Sequence, residues 1–194
     1  MPDKESSSFV FSCDQTTAGE FAGRASEHVR EMMSTGRPPQ EILSRLAAAG
    51  EALAGPGATV SILVLDKNGL LRNGASPGLP GDYLHAIDGL KPDARVGTCA
   101  AAAATGSVVV TVDFSADDKW AELRHLPSAL GFVGAWSCPI KSASGTVLGT
   151  FGTYFRNRRA PTAEEQQGVA LLAAAAALVL DGYQCRDSPA SYHR

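Results

Sequence analysis

Cys99 follows Val96-Gly97-Thr98 and opens a run of five alanines at residues 100–104. The first turn of a helix carries unpaired amide donors and a partial positive charge, which lower a thiol pKa and favour the reactive thiolate. A cysteine at this position is therefore a candidate redox residue. The alternative is a small apolar side chain buried for packing, a common fate of free cysteine. Cys138 alternates with Trp136 along an apolar stretch, so in a strand both would point to one face. If that face borders the same space as Cys99, the two thiols can approach each other; otherwise Cys138 only packs. Trp120 and Trp136 are the only tryptophans. Each can stack on a ligand and donate one hydrogen bond, or fill core volume. Asp113, Arg124 and His125 add the carboxylate, guanidinium and imidazole that a small-molecule pocket uses for orientation. A lone histidine is also an ordinary surface residue, and His85 shares that ambiguity. His28 and His193 lie outside the expected pocket.

Other chemistries leave no trace. Cys13, Cys99, Cys138 and Cys185 are far apart and form no CxxC or CxxCH pattern, which argues against a zinc ribbon, a thioredoxin-type pair or covalent haem attachment. There is no glycine-rich phosphate loop, paired-carboxylate motif or Ser-His-Asp signature. With 44% apolar and 19% charged residues and a net charge of −3, the chain lacks the basic footprint for nucleic acid or an anionic membrane surface. The polar, acid-bearing N-terminus lacks the basic region and apolar stretch expected of a signal peptide. The longest apolar run, residues 168–180, is too short at 13 residues to span a bilayer. A cytoplasmic location with reduced thiols is expected.

The elements that would position these residues follow from periodicity. Residues 17–33 place Phe21, Ala25, Val29 and Met32 at helical spacing, and residues 39–54 carry Ile42, Leu43, Leu46, Ala49 and Leu53 on one face. Two β-rich segments, 58–66 and 70–76, flank a Lys67-Asn68-Gly69 turn and predict a hairpin. A short helix over 82–90 points Tyr83, Leu84 and Ile87 inward, and residues 100–105 form another, stopped at Gly106. Residues 108–113 read as a strand, and residues 115–130 as a short helix broken by Pro127. Residues 134–140 and 147–156 form a second hairpin. Residues 161–185 close the chain as a long helix with a Thr162/Glu165 capping box. An antiparallel sheet with helices on both faces results, the inter-strand helices roofing a pocket.

Val96-Gly97-Thr98-Cys99, the segment 106–113, Asp118-Lys119-Trp120, the segment Trp136-Ser137-Cys138-Pro139-Ile140 and the segment Val147-Leu148-Gly149-Thr150-Phe151 resemble the GAF domain family, and within it the domains found beside PAS and histidine-kinase modules of bacterial two-component systems. The resemblance covers residues 40–184. It implies an α+β, GAF/PAS-like central antiparallel sheet of about six strands, with terminal helices on one face and inter-strand helices over a pocket on the other. It also implies dimerisation through the terminal helices. GAF pockets hold cyclic nucleotides, tetrapyrroles, haem or small anions, so the family leaves the cofactor unknown. This sequence has no Cys-His dipeptide for bilin attachment and lacks the familiar cyclic-nucleotide motif.

The domain reading is a polar N-terminal segment with one helix (1–37), the GAF domain (38–185) and a disordered tail (186–194). Function reads as a sensory or regulatory module that binds a small molecule or senses redox state. Candidate contacts are Cys99, Asp113, Trp120, Arg124, His125, Trp136 and Cys138. The output would pass through a homodimer or a partner such as a histidine kinase, with no nucleic acid and no membrane. The competing reading is a GAF-fold enzyme related to free methionine-(R)-sulfoxide reductases, with Cys99 and Cys138 as reacting and resolving thiols.

Overall fold

The computed structural model describes the backbone of residues 17–187 and side chains to Gly182. Residues 1–16 and the expected tail, as well as the side chains of Cys13, Cys185 and His193, lie outside the described residues apart from the helical backbone of residues 185–187. The chain runs α1 (Ala18–Ser34), α2 (Pro39–Ala54), β1 (Thr59–Leu65), β2 (Leu71–Ala75), α3 (Gly81–Ile87), α4 (Thr98–Thr105) and β3 (Val109–Thr111). Two 3₁₀ turns (Phe114–Ala116 and Asp118–Trp120) precede α5 (His125–Ala129), β4 (Gly134–Lys141), β5 (Val147–Phe155) and α6 (Ala163–Asp187).

The architecture is α+β, an antiparallel sheet in the order β2-β1-β5-β4-β3 with helices on both faces. Among the described residues the sheet has five strands, where the resemblance implied about six. The missing strand begins but does not propagate: Leu71 donates to the Leu90 carbonyl at 2.9 Å and accepts from the Gly89 amide at 2.9 Å, forming one isolated bridge. Pro92, two residues on, has no N–H with which to extend a ladder.

One sheet face buries Ile62, Trp136, Cys138, Ile140, Phe151 and Phe155 beneath α1, α2 and α6. Helix α1 shares this core through Phe21, Ala25, Val29 and Met32. The α6 stripe expected from spacing (Val169, Leu172, Ala173, Ala176, Val179 and Leu180) is buried throughout. Small residues bring the helices close, since a Cβ on Gly50 would meet the Phe151 ring at 2.7 Å and one on Gly168 would meet Leu53 at 2.5 Å. The 168–180 run lies inside a longer helix. Over Ala163–Gly182 its mean hydropathy of 1.2 meets the length and composition of a membrane span, but 56% of it is buried inside the fold, as a core helix is.

The α6 start is fixed as the sequence pattern expects. The Glu165 amide donates to Thr162 Oγ1 at 3.1 Å, and Glu165 Oε2 accepts the Thr162 amide at 2.7 Å. Arg159 adds two 2.7 Å bonds to the same carboxylate. Burial pushes the Glu165 carboxyl up, yet these donors outweigh it and hold it below its ordinary value.

Candidate functional site

The other sheet face is roofed by α3, α4 and the segment from β3 to α5, which bury Tyr83, Ile87, Cys99, Phe114 and Trp120 against Leu63, Ala135 and Tyr154. The roof is built from local rules. Gly97 takes φ 51°, a left-handed conformation that side chains rarely adopt, and lets α4 start against the Trp120 ring, 3.6 Å from where a Cβ would stand. Its amide donates to the Lys119 carbonyl at 2.8 Å, tying the start of α4 to the second 3₁₀ turn. That turn is held by Asp117, which accepts from the Thr111 hydroxyl at 2.7 Å, the Lys119 amide at 3.1 Å and Lys119 Nζ at 2.8 Å. Burial raises the Asp117 pKa, but the Lys119 and Thr111 donors prevail and its carboxyl sits below the usual range. Trp120 stacks at a tilt on Phe114, with centroids 4.3 Å apart.

Between roof and sheet lies a cavity of about 20 Å³, enough for about one water molecule. Its walls are mostly apolar: Leu63, Ile87, Leu90, Val96, Leu123 and Leu126. Five groups carry its polarity. Tyr83 donates to the Tyr154 hydroxyl at 2.9 Å. Thr98 Oγ1 and Trp120 Nε1 are buried without a hydrogen-bond partner, on residues that are 1% and 4% exposed, and such orphaned groups call for an explanation. Cys99 Sγ lies 3.0 Å from Ser137 Oγ. Gly152 makes room for that sulfur, because a Cβ there would fall 2.8 Å from Sγ.

Of the residues expected at the site, the fold brings Cys99 and Trp120 to the cavity. Trp136 and Cys138 are on the opposite face, in the core beneath the terminal helices. Strand alternation turns Ser137 towards Cys99 and therefore turns its neighbours away. Cys138 and Cys99 thus stand on opposite sides of the sheet, so the condition for the two thiols to approach is not met, and Cys138 takes the other reading, packing in the core. Asp113 instead forms a 2.6 Å ion pair with Arg158 and accepts from Ser115. Arg124 and His125 are exposed at the start of α5; Arg124 reaches the Ser115 carbonyl at 3.4 Å. The lowered Cys99 pKa expected from its helix position is also corrected. Cys99 does occupy the first turn of α4, but burial pushes the thiol up, against the smaller pull of the Ser137 hydroxyl.

Sequence reasoning missed Thr98, Ser137, Gly152 and Tyr154. It placed Tyr83 inward without giving it a role. The available signal was alternation, since Gly152 and Tyr154 share parity on β5. Among the described residues no cluster of three metal-ligating side chains occurs.

A GAF domain family model matches residues 36–181, and the chain belongs to the GAF domain family. It is 31% identical over 161 residues to the methyl sulfide methyltransferase-associated sensor of Methanosarcina acetivorans. That match covers 82% of this chain and 16% of the relative, so the chain spans about a sixth of the sensor's length. Among solved structures, the GAF domain of an Acinetobacter phosphoenolpyruvate-protein phosphotransferase superposes with a TM-score of 0.68 at 13% identity, covering 87% of this chain and 95% of that one. A domain described as part of a two-component sensor histidine kinase from Sinorhizobium meliloti superposes with a TM-score of 0.64 at 18% identity, covering 79% and 100%. These structural likenesses carry the fold.

Proposed function

We propose that this domain senses a small molecule held between the roof and the sheet, and passes occupancy through the sheet to the terminal helices. The observation that carries the reading is that two of the five buried, unpartnered side-chain polar atoms among the described residues, Thr98 Oγ1 and Trp120 Nε1, belong to residues lining one apolar cavity. Strand β4 gives the route: Ser137 contacts the cavity side, and Trp136 and Cys138 press on the helical side. Opening the roof to admit a guest would shift Ser137 and, with it, the seating of α6. Binding must favour one arrangement for such a shift to signal.

Leu171 and Leu178, one heptad apart on α6, are 40% and 44% exposed and suit a homodimer seam. A histidine kinase or another output protein is the proposed recipient, in the cytoplasm, with residues 38–185 as the sensory unit. The sensor reading is preferred to a reductase because Cys99 has no second described cysteine on its face of the sheet. Native mass spectrometry with an absorption spectrum, on protein purified from its own cells under reducing conditions, tests this. A retained small molecule in a dimer is the expected result. A bare monomer that takes up nothing from a cell extract overturns it.

A further inference from the structure

The cavity also constrains what can occupy it. Resting on the sensory reading above, we infer that the ligand is an uncharged, largely apolar molecule presenting a hydrogen-bond acceptor, such as a carbonyl oxygen, to Trp120 Nε1–H and the Thr98 hydroxyl.

Three observations lead there. The first is that the unsatisfied capacity is donor capacity. An indole N–H only donates, and the Thr98 hydroxyl can donate. The Tyr83–Tyr154 bond at 2.9 Å uses one of the pair's two hydroxyl protons and leaves the other to donate. The second is the absence of charge, since no Lys, Arg, His, Asp or Glu lines the cavity. A phosphate or carboxylate enclosed there would face only neutral donors, and burying an ion without a counter-ion is costly. The third is how the cavity treats its own acids: burial is the leading cause pushing the hydroxyls of Tyr83 and Tyr154 and the thiol of Cys99 towards their neutral forms. An anionic ligand would meet the same desolvation. The first turn of α4 favours negative charge, but Gly97 gives it no side-chain cap and no cation lines the cavity. A partial negative charge on a carbonyl suits that turn without the ionic penalty.

The roof must open, because about 20 Å³ does not hold an organic molecule. Leu123 and Leu126 are the parts suited to move. They are partly buried, Leu123 in the turn before α5 and Leu126 in the short helix α5, outside the sheet ladder.

The test uses three probes of nearly one shape on the full chain: acetophenone, α-methylstyrene, which replaces the carbonyl oxygen by CH₂, and benzoate. With ¹⁵N-labelled tryptophan the protein gives two indole signals, one for each of its two tryptophans, and Trp136→Phe assigns them. We expect acetophenone to move the Trp120 signal downfield, and to bind about tenfold more tightly than α-methylstyrene and at least tenfold more tightly than benzoate. In Trp120→Phe the preference for acetophenone over α-methylstyrene should fall to a few-fold or less; the wild-type ratio stands as evidence if that variant does not fold. Benzoate binding as well as acetophenone, or α-methylstyrene matching it, overturns this inference and leaves a ligand cavity standing. If no probe moves the Trp120 signal, this inference falls, and the mass spectrum of the purified protein then decides the sensory reading separately.

Discussion

Gly152→Ala tests whether the cavity floor is built as described, because one added methyl group meets one named atom. The new Cβ would stand 2.8 Å from Cys99 Sγ, with Ser137 Oγ at 3.3 Å and the Ser61 carbonyl at 3.5 Å as the next neighbours. Ordinary contact lies near 3.5–4.0 Å, so the sulfur must retreat by roughly 0.8 Å and give up its contact with Ser137. Overpacking of this kind costs about 1–3 kcal/mol. Removing a glycine returns about 0.5 kcal/mol through the unfolded chain, leaving a net loss of about 1.5 kcal/mol. For a domain of this size that lowers Tm by about 3–6 °C. Cys99→Ala alone should cost about 1–2 kcal/mol through lost packing and the lost Ser137 contact. If the clash is with the sulfur, the double variant should cost no more than Cys99→Ala alone, a coupling of about 1.5 kcal/mol. Urea denaturation of the four proteins measures it. Additivity within about 0.5 kcal/mol would refute the proposed seating of Cys99 over Gly152.

Other perturbations separate the remaining features. Gly149→Ala would drive a methyl group onto the Leu63 carbonyl, a backbone atom of the paired strand β1; a loss above about 3 kcal/mol in urea melts is expected, and less than 1 kcal/mol would show that the strands can part cheaply. For Glu165, whose folded pKa is depressed below 4.5, the stabilisation is complete above the unfolded pKa and fades as pH falls through the folded one. Glu165→Gln should therefore cost about 1–3 kcal/mol at pH 7 and progressively less below pH 4.5; a constant difference from pH 7 to pH 2 would contradict the ion-pair account. With its thiol buried and its pKa raised, Cys99 as the sole cysteine should react with a disulfide reagent at pH 8 at least about a hundredfold more slowly in the folded than in the unfolded protein. Equal rates would show an accessible thiol and contradict the burial of Cys99.

The sequence by itself determined the elements and their order. Helical spacing at Phe21, Ala25 and Val29, the capping box at Thr162 and Glu165, and the Asn68-Gly69 turn are local facts, and local chemistry set them. The five strands were legible for the same reason, whereas the sixth followed only from family likeness and stops at a single Leu71–Leu90 bridge. Trp120 was recognisable because a rare amphipathic ring in an inter-strand segment has few places to go. Which face Trp136 and Cys138 take was not legible: alternation states that they agree, but only the pairing of β4 between β3 and β5 decides that Ser137 turns to the cavity. Cys99 shows the same division. Its place in the first turn of α4 was written in Gly97-Thr98-Cys99, and its thiol chemistry was not, because desolvation depends on what the rest of the chain lays over it. The donors of the cavity, Thr98, Trp120 and Tyr154, lie on three elements far apart in sequence, and they meet only because the sheet and its roof close on one another.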